Sequence, residues 1–149
     1  MNKEKRIWIV LFLALTLMVI LSGCSGLPKT AKINITIDPN PVPCSSEDGK
    51  WYFTMNISES NGVGVTLTSI RLDHYDQAEQ LYNTQFLYEE DIIDWFESNY
   101  LPAFSSLQSD IYYTAPVDES AKYTVLTIEG VDDNENPIEA TVRIDFLPQ

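Results

Sequence analysis

The sequence predicts an all-β domain, an antiparallel β-sandwich of about seven strands with a short helical insert near residues 89–100. Three observations predict it. Apolar side chains recur at every second position in several separate runs, clusters of Gly, Pro, Asn and Asp stand between the runs, and in one stretch the period lengthens to that of a helix. Alternation of this kind sends one set of side chains into a dry interior and the other into water, because successive Cβ atoms of a strand point to opposite faces.

The first run is Ile33, Ile35 and Ile37, alternating with Asn34 and Thr36. Asp38-Pro39-Asn40-Pro41-Val42-Pro43 then ends pairing, since proline brings no N–H to a ladder. Trp51, Phe53, Met55 and Ile57 alternate with Tyr52, Thr54, Asn56 and Ser58, which predicts a central strand with four large apolar groups on one face. Asn61-Gly62-Val63-Gly64 supplies turn chemistry before Val65, Leu67, Ile70 and Leu72. The apolar phase slips between Leu67 and Ile70, so a bulge or a change of sheet is expected at Thr68-Ser69.

From Glu89 to Tyr100 the apolar positions Ile92, Ile93, Phe96 and Tyr100 fall on one helical face, with Trp95 beside it. Glu89, Glu90 and Asp91 stand where a helix dipole favours negative charge, and Pro102 follows the end. Further on, Tyr123, Val125 and Thr127 alternate with Thr124, Leu126 and Ile128, and both sets are apolar enough for a strand at a sheet centre. Asp132-Asp133-Asn134-Glu135-Asn136-Pro137 is a turn cluster. Ile138, Ala140, Val142, Ile144 and Phe146, alternating with Glu139, Thr141, Arg143 and Asp145, close a C-terminal hairpin.

The N-terminus reads differently. Lys3, Lys5 and Arg6 form a positive flank, Ile7 to Leu21 is an uncharged apolar run, and Leu21-Ser22-Gly23-Cys24 follows. A positive flank, a short apolar stretch and small residues before a cut make a secretory signal over residues 1–23, and the run is shorter than the roughly 20 residues a membrane-spanning helix needs. Leu21-Ser22-Gly23-Cys24 resembles the lipobox of bacterial lipoproteins. That resemblance implies cleavage before Cys24, a lipidated thiol there, and attachment to the extracytoplasmic side of a membrane in the cell envelope. Ser25 behind it implies outer-membrane delivery if the organism has such a membrane. Residues 24–30 read as a flexible tether, and 31–149 as one sandwich domain.

The whole chain carries a net charge of −13. Without the leader, 6 Lys/Arg face 21 Asp/Glu, a net charge of about −15. Such a surface repels phosphate backbones, which disfavours nucleic-acid binding, and no nucleic-acid partner is expected. It also repels anionic headgroups, which leaves the lipid on Cys24 as the means of holding a membrane. With Cys24 committed to lipid, Cys44 has no partner in the chain, so the fold must stand on its core without a disulfide.

Glu119-Ser120-Ala121-Lys122-Tyr123-Thr124-Val125 resembles the segment at which immunoglobulin-type sandwiches place a tyrosine corner. The resemblance implies an Ig-like or fibronectin-like module without the inter-sheet disulfide, with Tyr123 as the corner residue and Val125 where a bridge cysteine would stand.

For chemistry the sequence offers little. His74 is the only histidine, and as a lone imidazole with no evident nucleophile it is expected at the surface. Asp91, Asp94 and Glu97 read as a solvated helix side rather than an acid-base pair. Asp132, Asp133 and Asn134 bring oxygens of the kind a calcium ion accepts, yet they lack the spacing of a dedicated loop and match ordinary turn chemistry, so no metal and no cofactor is expected. Residues 82–113 hold nine aromatics, and aromatics with polar tips can build a contact face. Tyr88, Trp95, Tyr100 and Phe104 are the candidate binding residues. The expectation is a non-enzymatic binding or interaction module with an envelope protein or glycan as partner. The alternatives are a structural or spacer subunit of an envelope assembly and, behind it, a small enzyme.

Overall fold

The structure is a computed structural model that describes residues 29–114 and 122–147. The leader, Cys24 with its expected lipid, the tether up to residue 28, and Glu119 to Ala121 of the corner motif lie outside the described residues.

Among the described residues eight strands and one helix follow in order: β1 (Ile33–Asp38), β2 (Trp51–Glu59), β3 (Val65–Tyr75), β4 (Leu81–Tyr88), α1 (Glu89–Phe96), β5 (Tyr100–Leu101), β6 (Ser106–Tyr113), β7 (Tyr123–Asp132) and β8 (Pro137–Asp145). They form two antiparallel sheets, β1-β2-β6 and β4-β3-β7-β8, with β5 added on β3 next to β4. The chain is therefore an antiparallel β-sandwich with a short helical insert, as the alternation predicts, and Ig-like, as the resemblance implies. β2 and β7 are interior strands of their sheets, and β7 and β8 form the expected hairpin. The slip in phase is a bulge, since the β3–β7 register shifts between Leu67 and Ser69.

Inward positions of both sheets make one core. Met55, Ile57, Leu67, Ile70, Leu126, Ile128 and Ile144 are almost wholly buried, and burying a side chain of this size stabilises by about 1.5–3 kcal/mol. α1 leaves the end of β4 and returns as β5 on the same edge of β3. It turns Ile92 and Phe96 into the core and closes the flank between β4 and β6. The helix is shorter than the sequence suggests because Glu97 is left-handed (φ 62°) and its N–H closes on the Ile93 carbonyl at 2.7 Å. Asp91, Asp94 and Glu97 point to solvent, as expected.

β4 and β6 come from the aromatic stretch and are not evident in the sequence. Their inward phases are diluted by Asn83 and Gln85 in one and Ser109 in the other. A second departure concerns Tyr123. With Thr124, Leu126 and Ile128 facing the core, Tyr123 and Val125 lie on the outer face of the sheet. Tyr123 is held there between the ring of Tyr75, with centroids 4.7 Å apart, and the Arg143 guanidinium 3.7 Å from its own centroid. It is an outer-face stack and not the inward corner that the resemblance implies.

Candidate functional site

Three polar side chains are buried where an apolar phase runs on into a polar residue: Glu59 closes the inward series of β2, His74 that of β3 and Asp132 that of β7. Burial desolvates each of them, so each needs partners.

Glu59 sits at the end of the sandwich where the chain enters. Its Oε1 accepts the N–H groups of Asn61 (2.7 Å) and Lys32 (3.1 Å), and its Oε2 those of Gly62 (2.8 Å), Phe104 (3.1 Å) and Val63 (3.3 Å). Burial pushes its carboxyl up, but the N–H groups of Phe104, Lys32, Asn61 and Gly62 outweigh that and hold it down to about 2. Asp132 works the same way at the same end. Its Oδ2 accepts the Ala31 N–H (3.0 Å), its Oδ1 those of Asn136 (2.8 Å) and Asn134 (2.9 Å), and the Asn136 amide bonds both oxygens. Its burial favours the neutral form, yet the donors of Asn136, Ala31 and Asn134 keep the carboxyl below its ordinary value. Both carboxylates are thus ionised clamps on loops, with their lone pairs taken up by N–H groups.

This bears on the calcium candidates. Asp132 is saturated, Asp133 Oδ2 accepts the Tyr100 hydroxyl at 3.1 Å, and the Asn134 amide donates to the Lys29 carbonyl at 2.7 Å. The three serve the turn and the entering chain. Among the described residues no three His, Cys, Asp or Glu side chains gather as a metal site.

At the opposite end lies a cleft of about 230 Å³ between the sheets, walled by Phe53, Leu72, Leu126 and Phe146 with Trp95 of α1 and Gln85 of β4 on one side. His74 forms part of it and, contrary to the sequence expectation, is only 2% exposed, because β3 carries its inward phase one step past Leu72. Its Nδ1 lies within hydrogen-bond distance of two hydroxyls, 2.8 Å from that of Thr124 and 3.2 Å from that of Tyr113. Burial lowers the imidazole pKa, Asp73 opposing in part, and raises the Tyr113 phenol well above its ordinary value, with Tyr82 adding to the rise. The cluster is neutral at physiological pH. A Thr–His contact of 2.8 Å has the length of a nucleophile–base pair, but both side chains are 2% exposed. Asp73, the nearest acid in the chain, pairs with Arg71 at 3.0 Å. Among the described residues no carboxylate hydrogen-bonds the ring; its partners at Nδ1 are the two hydroxyls.

The four candidate binding residues divide by location. Phe104, with φ 55° and 72% exposed, lays its ring over Gly62, where any Cβ would overlap it. Tyr100 lies likewise over Gly64, bonded to Asp133. Both belong to the end where the chain enters. Trp95 is half-buried on the cleft rim. Tyr88, 63% exposed, stacks with Phe86 on β4, their centroids 6.4 Å apart. The structure therefore does not join the four into one patch.

No family model matches the chain, and no curated protein matches it. Among solved structures it is similar to a Bordetella pertussis protein assigned as ApaA, with a TM-score of 0.52 at 13% identity over 79% of this chain and 96% of that one. It is also similar to the CARDB domain of the PF1109 protein from Pyrococcus furiosus, solved with di-metal ions, with a TM-score of 0.40 at 16% identity over 80% and 90% of the two chains. At such identities the likeness is one of fold alone.

Proposed function

We propose that this chain is a lipid-anchored lipoprotein of the cell envelope whose Ig-like sandwich is a non-enzymatic interaction module. Cys24 carries the lipid on the extracytoplasmic side of a membrane, and the domain meets an envelope protein or glycan. The observation that carries the reading is the exposure of large aromatics, Tyr88 and Phe104 above all, on a domain whose buried carboxylates are fully engaged in holding loops. Aromatics with polar tips give a contact face large area at little entropic cost.

With a lipid on Cys24, the entry of the chain would set which end of the sandwich faces the membrane. Lys29 and Thr30 give their carbonyls to Asn134 and Asn61, and Ala31 and Lys32 give their N–H groups to Asp132 and Glu59. The five steps from Cys24 to Lys29 span at most about 18 Å, so Phe104 and Tyr100 would stand near the bilayer while the flank with Tyr88 and Trp95 stays open to partners.

Growing cells with an alkyne-tagged fatty acid tests the anchor. The wild-type chain takes up label and the Cys24→Ser chain does not; equal labelling of both, or a leader still attached by mass spectrometry, ends the lipoprotein reading. Crosslinking on intact cells tests the module. A partner retained by wild type and lost on replacing Tyr88 and Trp95 with Ala, both chains remaining folded, supports it; retention by the doubly replaced chain removes those residues from the contact face.

A further inference from the structure

We infer that β4 is a docking edge for an extended peptide segment of a partner protein, uncharged at its centre and basic at its ends, which adds to the larger sheet as a further strand. The inference deepens the interaction-module reading and rests on it.

Sheet edges present unpaired N–H and C=O groups, and proteins usually blunt them with charge, proline or a covering segment. The two edges of the larger sheet are treated differently here. β8 carries Glu139, Arg143 and Asp145 and is covered at its C-terminal end. Val42 donates to the Asp145 carbonyl (2.8 Å) and accepts from Leu147 (2.9 Å), while the Asn40 side chain bonds Arg143 and Asp145, both at 2.9 Å. β4 is the other edge. It reads Leu81-Tyr82-Asn83-Thr84-Gln85-Phe86-Leu87-Tyr88, eight residues with no charge, proline or glycine in a chain with 22 Asp/Glu, and all but Leu87 are exposed.

The free backbone groups can be assigned. Asp91 takes the Tyr88 N–H at 2.9 Å, which places Tyr88 among the residues whose backbone points away from β3. By the two-residue alternation of an antiparallel ladder, Phe86 and Thr84 point the same way. Among the described residues no backbone hydrogen bond reaches either from outside the sheet. An added strand would bond these two residues and cover the Phe86–Tyr88 stack on one face. On the other face its side chain beside Gln85 would approach the cleft rim at Trp95. Backbone pairing with pockets for alternate side chains is how edge strands recognise extended peptides.

Charge selects the occupant. Glu89, Glu90 and Asp91 follow one end of β4, and Asp76 and Glu79 precede the other, with Lys122 on Glu79 alone. An antiparallel second copy of β4 would set acid on acid at both ends, whereas a peptide with lysines at both ends meets opposite charge twice.

The test uses the full-length chain in detergent micelles and a fluorescein-labelled peptide of alternating valine and threonine, one central phenylalanine and two lysines at each end. Fluorescence anisotropy is expected to show saturable binding. The affinity should fall at least tenfold when the lysines become glutamates, and at least tenfold when alternate peptide nitrogens on the pairing edge are methylated. Thr84→Pro, which removes a free-edge N–H and no backbone bond to β3, losing besides it only the exposed Thr84 hydroxyl bond to Asp73, should abolish binding with an unchanged circular dichroism spectrum. No binding by the wild type, or equal binding of the methylated peptide, overturns the proposal even if Thr84→Pro misfolds. So does a dimer crosslinked through cysteines placed at residue 84 of two copies. A partner still captured on cells while the peptide fails would leave the module reading standing and remove only the edge.

Discussion

The Oε2 of Glu59 accepts the backbone N–H of Phe104 at 3.1 Å, tying the end of β2 to a loop 45 residues further along. The same carboxylate holds Lys32, Asn61, Gly62 and Val63, so one buried charge fixes three segments and sets the ring of Phe104 over Gly62.

Glu59→Gln is therefore expected to be costly although it is nearly isosteric. It removes the charge and turns an NH2 group toward N–H donors, which leaves buried donors unsatisfied and should cost about 2–4 kcal/mol. Urea unfolding measures it. Asp94→Asn, on the exposed side of α1, is the control and should stay within about 0.5 kcal/mol.

Acid should weaken the fold in two stages. Burial holds the His74 pKa below 6.5, so the unfolded chain takes up a proton that the folded chain refuses; this share of stability is complete above about pH 6.5 and falls as pH drops below it. The carboxyl of Glu59 is lowered from 4.5 to about 2 and that of Asp132 lies below 3.8, so their share is complete above those unfolded values and is lost as pH falls through the folded ones. Thermal melts from about pH 8 down to about pH 2.5 should show both declines, and His74→Leu should abolish only the first. Two unchanged declines in that variant would clear His74.

Much of this architecture was legible in the sequence. β1, β2, β3, β7 and β8 follow from strict alternation, and the bulge follows from one slip of phase. β4 and β6 escaped because an edge strand is covered less completely, so polar residues such as Asn83 and Ser109 take inward positions and dilute the pattern. The buried polar residues were half-legible. Glu59, His74 and Asp132 all continue an apolar phase, but an inward phase does not reveal that N–H groups or hydroxyls will meet them. The phase of Tyr123 is not legible because both faces of β7 are apolar in sequence, and only the neighbours Tyr75 and Arg143 decide which is outer.

Alanine replacement should separate contact residues from core. Ile92, wholly buried under α1, should cost about 2–5 kcal/mol. Tyr88 and Phe104 should each stay within about 0.5 kcal/mol, since most of each ring is already in water. If chemical denaturation finds Tyr88→Ala or Phe104→Ala as costly as Ile92→Ala, these rings are structural and the exposed-aromatic case for a binding face fails.

The outer-face stack gives a sharper test, because its two halves can be removed separately. Tyr123 is nearly buried between Tyr75 and Arg143, and Arg143 is held in turn by Asp145 at 2.6 Å. Tyr123→Ala removes a packed ring and should cost about 2–4 kcal/mol, whereas Arg143→Gln removes only a partly exposed cation and should cost no more than about 1 kcal/mol. Replacing both should cost less than the sum, since the cation–π term is lost once. Additive losses would mean that the guanidinium lies over the ring without attracting it, and that the packing of Tyr75 alone holds Tyr123 on that face.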